Sequence, residues 1–156
     1  MRFLALVGIA TGSLTASACV TASDATPAAV GQSPRQVADS FLESFNALDS
    51  ASFDRFFADD VTMFFPGGPF PTARVEGQAA VTAAFRSFFD MARERGATRL
   101  GIRPLDLQVQ DYGEFAIVSF HLRGNGNVGR RSLVLRRDAG EWRIVHFHAS
   151  SLEEEQ

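Results

Sequence analysis

The sequence predicts one α+β domain in which helices gather on one face of a curved antiparallel sheet. Three observations carry this. Apolar residues between Ser33 and Arg95 recur mainly at helical spacing. From Arg99 onward the period changes to two, over four runs joined by short turns rich in Gly, Asn and Asp. A block of helices followed by a block of strands is the α+β order.

Size and composition set the limits. The chain has 156 residues, 46% hydrophobic and 21% charged, with a net charge of −3. It is neither a disordered polymer nor a basic nucleic-acid binder. A chain of this size buries roughly two thirds of its unfolded surface, so its core needs no staples. Its single cysteine, Cys19, can form no internal bridge and belongs to no zinc or iron–sulfur cluster. All 15 basic residues are Arg, which removes Schiff-base, lysine-nucleophile and P-loop chemistry. Neither a metal nor a cofactor is implied.

Residues 1–18 read as an export signal: Arg2, an apolar run from Phe3 to Leu14, and Ala16-Ser17-Ala18 before Cys19. The run is too short, and too broken by Gly8, Gly12 and Ser13, for a permanent membrane helix. The tripeptide suits ordinary signal peptidase, while Ala-Ser-Ala-Cys also resembles a bacterial lipobox, whose Cys becomes a lipidated first residue. Lipidation of Cys19 is favoured, because an unpaired thiol would otherwise stand exposed in an oxidising compartment. The expected location is the bacterial cell envelope, as a lipoprotein or a soluble periplasmic or secreted protein, with membrane contact only through that lipid. Residues 19–32, rich in Thr, Ala, Ser and Pro, read as a flexible tether, and residues 152–156 as a solvated acidic tail.

The domain spans 33–151. Ser33-Pro34-Arg35-Gln36 combines an N-cap, Pro at the first helical position and Gln three residues after the cap. A helix to about Leu48 follows, with Val37, Phe41, Phe45 and Leu48 on one face. Ser52 opens a short helix carrying Phe53, Phe56 and Phe57, and Val61 to Phe65 is a strand ended by Pro66-Gly67-Gly68-Pro69. Thr72 to Val75 is a short return strand. Gln78 to Arg95 is a third helix, with Val81, Ala84, Phe85, Phe88 and Met91 inward and Gly96 as its stop. Arg99–Gln110, Glu114–Leu122, Val128–Arg137 and Glu141–Ser150 are the four strands of a meander. Phe115 to Phe120 and Ile144 to Phe147 are apolar on both faces, although helices cover only one. A second copy is the simplest cover for the other, so a homodimer is expected.

Three stretches carry a family resemblance: Phe57-Ala58-Asp59-Asp60-Val61, Val75-Glu76-Gly77, and Trp142-Arg143-Ile144-Val145-His146-Phe147-His148-Ala149-Ser150. Together they resemble the SnoaL-like families of the nuclear-transport-factor-two superfold. The last is similar to the final strand of the calcium/calmodulin-dependent protein kinase II association domain. The resemblance runs from about Ser33 to Ser150 and implies a cone-like curved sheet wrapped around helices, enclosing a deep apolar pocket. The superfold hosts isomerases, cyclases, dehydratases, hydrolases and oligomerisation modules, so sites must decide function. The base, hydrogen-bond donor and oxyanion-holding acid of the ketosteroid isomerases correspond here to Phe65, Phe41 and about Leu133. A Phe neither takes a proton nor stabilises an oxyanion, which argues against that chemistry.

The remaining candidates are imidazoles and rings. His146 and His148 lie two apart on a strand and so should share a face with Trp142 and Ile144. If that face lines the pocket, the pair supplies an acid and a base, with His121 of a neighbouring strand beside it. The favoured alternative is that the same rings satisfy backbone or carboxylate groups and close the bottom of the barrel. His-x-His with a distant His is weak evidence for zinc, since no acidic partner stands nearby. The expected pocket draws on Phe41, Phe65, Phe85, Phe88, Trp142, His121 and Arg103 and suits a small apolar or weakly acidic ligand. Three functions remain open: a small-molecule-binding domain, a dehydratase- or hydrolase-type enzyme using His146 and His148, and a non-catalytic oligomerisation module.

Overall fold

The computed structural model describes residues 31–124 and 127–151. The segment read as an export signal, Cys19, most of the stretch read as a tether and the segment read as an acidic tail lie outside the described residues. Helix α1 (Pro34–Asn46) starts as its sequence dictates: Gln36 N–H donates to Ser33 Oγ at 3.3 Å, and Ser33 N–H donates to Gln36 Oε1 at 2.8 Å. It ends through Leu48, which adopts the left-handed region (φ 58°) and is held there by near-total burial. A single 3₁₀ turn (Phe53–Phe56) runs straight into strand β1 (Phe57–Phe64). That strand therefore begins at Phe57 rather than at Val61. Strand β2 (Val75–Glu76) precedes helix α2 (Gln78–Glu94), whose buried row is Val81, Phe85 and Phe89. The helix is thus rotated relative to the expected face, leaving Phe88 and Met91 half-buried.

Strands β3 (Arg103–Asp111), β4 (Phe115–Gly124), β5 (Asn127–Asp138) and β6 (Glu141–Ser151) form the expected antiparallel meander. The sheet order is β2-β1-β6-β5-β4-β3, and β1 joins β6 in parallel. The sheet stays open, with β2 and β3 at its edges. On its outer face Arg136 donates to both carboxylate oxygens of Asp60 (2.9 and 3.0 Å) and to Asp138 (2.7 Å). The guanidinium holds both carboxyls below the usual Asp range.

A β-bulge in β6 decides which side chains face inward. Leu135 pairs with Ile144, yet the next residue back, Val134, pairs with His146, so Val145 is the extra residue. Before the bulge Trp142 and Ile144 are buried; after it Phe147 and Ala149 are. His146 and His148 therefore point to the outer face, which corrects the expectation that they share a face with Trp142 and Ile144. Period-two counting fails there because one residue is inserted. His146 Nδ1 shares a hydrogen bond with Thr62 Oγ1 at 2.8 Å, and Phe64 packs beside both imidazoles. Burial, and secondarily the positive charges of His148 and Arg74, push the His146 pKa below its ordinary value.

Two predictions follow from this geometry. Ala139 (φ 51°) and Gly140 (φ 87°) form the two-residue turn between Asp138 and Glu141, a type I′ turn that needs positive φ at both positions. Ala139→Asn should raise stability by about 1 kcal/mol, read as a higher urea midpoint at constant slope. For His146, the unfolded chain takes up a proton near pH 6.5 before the folded one does, so its contribution is complete above that pH and lost below it. Stability should fall between about pH 7 and 5, and His146→Gln should flatten that limb; an unaltered limb would refute the assignment.

Candidate functional site

A cavity of about 190 Å³ lies between the inner face of the sheet and the two helices. Its walls follow from the elements above. Phe41, Leu42 and Phe45 come from α1, and Phe85 and Phe88 from α2. Met63 and Phe65 approach from β1 and the turn after it, Phe120 and Leu122 from β4, and Phe147 and Ala149 from β6. Phe70, Leu100 and Ile102 close the side. A sheet that curves away from a helix leaves more volume than rings can fill, so the hollow is the residue of imperfect packing between curved layers. An apolar cavity of about 150 Å³ already admits one aromatic ring.

Four of the sequence-predicted pocket residues, Phe41, Phe65, Phe85 and Phe88, line this cavity. The others do not. Trp142 is buried at the opposite end of the inner face, under the Arg137 guanidinium (4.6 Å to the ring centroid) and bordering a separate dent with Val37 and Phe56. His121 is on the outer face, because β4 buries Ala116, Val118, Phe120 and Leu122 and turns the alternate residues out. Its nearest carboxylate is Asp106, at 3.6 Å. Arg103 is exposed at the start of edge strand β3, beside Arg123 on β4. His146 and His148 lie across the sheet from the cavity. Among the described residues, no three His, Cys, Asp or Glu side chains converge on a point that could hold a metal ion.

The residue that sequence reasoning missed is Arg131. It lies on the inner face of β5, in register with Phe120 of β4 and Ala149 of β6, and lines the cavity. Its Nη1 donates to the carbonyls of Arg130 and Ser150, both at 2.8 Å. Burial pushes its pKa below the ordinary Arg value. Apart from Arg131 and Ser151, every described lining residue has a side chain without N–H or O–H groups. Among the described residues no lining side chain is a general base, and Phe65 and Phe41, which the resemblance sets at an isomerase's base and donor positions, both line the cavity. A signal for Arg131 was present: it continues the period-two row of Leu133 and Leu135. It was masked because Arg130 beside it has the same chemistry and faces outward.

Comparison with known proteins agrees with this architecture. No curated protein matches the chain. Among solved structures, an NTF2-like protein of unknown function from Pseudomonas putida superposes with a TM-score of 0.68 at 19% identity, covering 78% of this chain and 92% of that one. A candidate calcium/calmodulin-dependent protein kinase type II association domain from Thiobacillus denitrificans gives a TM-score of 0.63 at 26% identity, covering 80% and 98%. A candidate ketosteroid isomerase from Parabacteroides distasonis gives 0.58 at 18% identity, covering 79% and 90%. The profile of the SnoaL-like domain matches residues 35–153, so the chain belongs to the SnoaL-like family, with the α+β fold of NTF2-like proteins.

Proposed function

We propose that this domain binds one small, flat, apolar molecule in the phenylalanine-walled cavity and carries out no proton transfer upon it. The observation that carries the reading is the cavity itself: about 190 Å³, bounded by aromatic rings, with no acid–base side chain among its described lining. A hollow left empty costs stability, a cost that an occupant offsets. The chain reaches its place of action through export directed by residues 1–18, and a lipid on Cys19 holds it at the envelope.

A second copy covers the outer face of the sheet. There Thr62, His146, Val134 and Ile117 form one cross-strand row, and Phe64, His148, Ser132 and Ser119 the next. Phe64 is exposed, Val134 and Ile117 are half-buried, and the two serines leave a shallow, low-relief strip. A two-fold axis over this strip would pair like rows and remove Phe64 from water.

Two experiments test these readings. Toluene titrated into the purified protein should perturb the amide signals of Leu122, Phe147 and Ala149. Ala149→Leu, which sets an isobutyl group in the cavity, should weaken that binding by at least about tenfold with the fold retained. Equal binding by the variant would refute the site. Native mass spectrometry of the protein extracted from membranes should show two copies, each with a lipidated Cys19. A monomer, or a mature end other than lipidated Cys19, would refute the corresponding part.

A further inference from the structure

The outer face of the sheet carries two imidazoles that the cavity does not use. Past the bulge at Val145, His146 and His148 project to the same side of β6, and their ladder partners on β1 are Thr62 and Phe64. The four side chains form a square, with Thr62 beside His146 and Phe64 beside His148. Successive residues on one strand face stand about 6.5 Å apart, a gap that two tilted imidazole rings bridge when both bind one ion.

Local hydrogen bonding accounts for one ring only. His146 Nδ1 meets Thr62 Oγ1 at 2.8 Å. With the proton on Nδ1, that contact fixes the ring's orientation and leaves the Nε2 lone pair for an ion, the arrangement usual for a metal-binding histidine. His148, in contrast, is exposed and makes no side-chain hydrogen bond among the described residues.

The groups around the pair leave nitrogen as the donor. From β5 to β4 the two rows contain Val134, Ile117, Ser132 and Ser119, none of them ionisable. Beyond β1, Glu76 follows Thr62 in the same row, and its carboxylate is already engaged by Arg74. Neutral imidazoles without free carboxylates suit zinc and its borderline-soft neighbours rather than calcium or magnesium. Two nitrogens leave a tetrahedral ion half-coordinated. Strand β6 is one of the two central strands of the six, so a two-fold axis over the middle of the outer face sets an identical pair opposite this one.

We infer that the second copy proposed to cover this face completes a zinc-type site, in which His146 and His148 of each protomer give four imidazole nitrogens to one divalent cation on the axis. This rests on the two-copy reading above and adds what closes it, a site incomplete without the partner. Because only the pair of chains coordinates the ion fully, the metal tightens their association by mass action.

The test uses the purified, untagged chain, stripped with a chelator at about pH 7.5 and then given zinc chloride at one ion per two chains. Sedimentation should show a dimer whose dissociation constant falls at least about tenfold with zinc, and native mass spectrometry one zinc per two chains. His148→Gln, at an exposed position, should abolish both effects, as should His146→Gln, while His121→Gln should retain them; amide spectra check that each variant keeps the fold. A chelator-treated dimer whose association zinc does not tighten would overturn the inference and leave the two-copy reading standing. A monomer with or without the metal would overturn both. Zinc bound one per chain, bound equally by His148→Gln and His146→Gln, or lost in His121→Gln would overturn the inference by placing the ion elsewhere.

Discussion

The packing of Phe41 against Phe53 and Phe85 is the constraint on which the rest of the structure depends. Phe41 of α1 lies 5.2 Å from Phe53, 5.7 Å from Phe56 and 5.7 Å from Phe147, ring centre to ring centre. Phe85 of α2 lies 4.8 Å from Phe53 and 5.2 Å from Phe65. Two helices, a 3₁₀ turn, strand β6 and the turn after β1 are thereby tied at one place. Each buried ring contributes on the order of 2 to 3 kcal/mol, and edge-to-face pairs add to that. Rings are also stiff and flat, so a cluster of them cannot flow into the concavity of a bent sheet. The interaction that fixes the helices is the one that leaves the hollow beside them.

The bulge at Val145 has a consequence as large as any ring. It keeps β6 paired with both neighbours while exchanging the faces of everything after it. Phe147 and Ala149 then complete the cavity wall, and the imidazoles of His146 and His148 go to the outer side, against Thr62 and Phe64. A strand that buries Trp142 at one end and Ala149 at the other must change parity between them, and one inserted residue does this at little cost to the ladder.

The inner-face row of β5 changes character along the strand. Leu133 and Leu135 are wholly buried on the inner face, and the same row continues into Gly129 and Arg131, a small residue and a cation where apolar side chains would pack better. The outer-face arginine, Arg136, is the opposite case: with Asp60 and Asp138 in its fork it is a structural clamp between strands.

Much of this was legible in the residues. The capping box at Ser33, the 3.6-residue recurrence of Val37, Phe41 and Phe45 and the turn residues at Asp138-Ala139-Gly140 determine the helix start and the element order by local chemistry, while the final Trp142-to-Ser150 run carried the family by resemblance. Four of the cavity phenylalanines were likewise recoverable, since large rings on inward faces have nowhere else to go. What the tertiary structure alone decided was parity and partnership: that β6 slips by one residue, that β1 pairs with it in parallel, that α2 turns Phe89 inward, and that Arg131 rather than Arg130 or Arg103 enters the hollow. These are properties of register and layer contact between residues far apart in the chain. The period of a single strand says which side chains share a face, and only its neighbours say which face is inside.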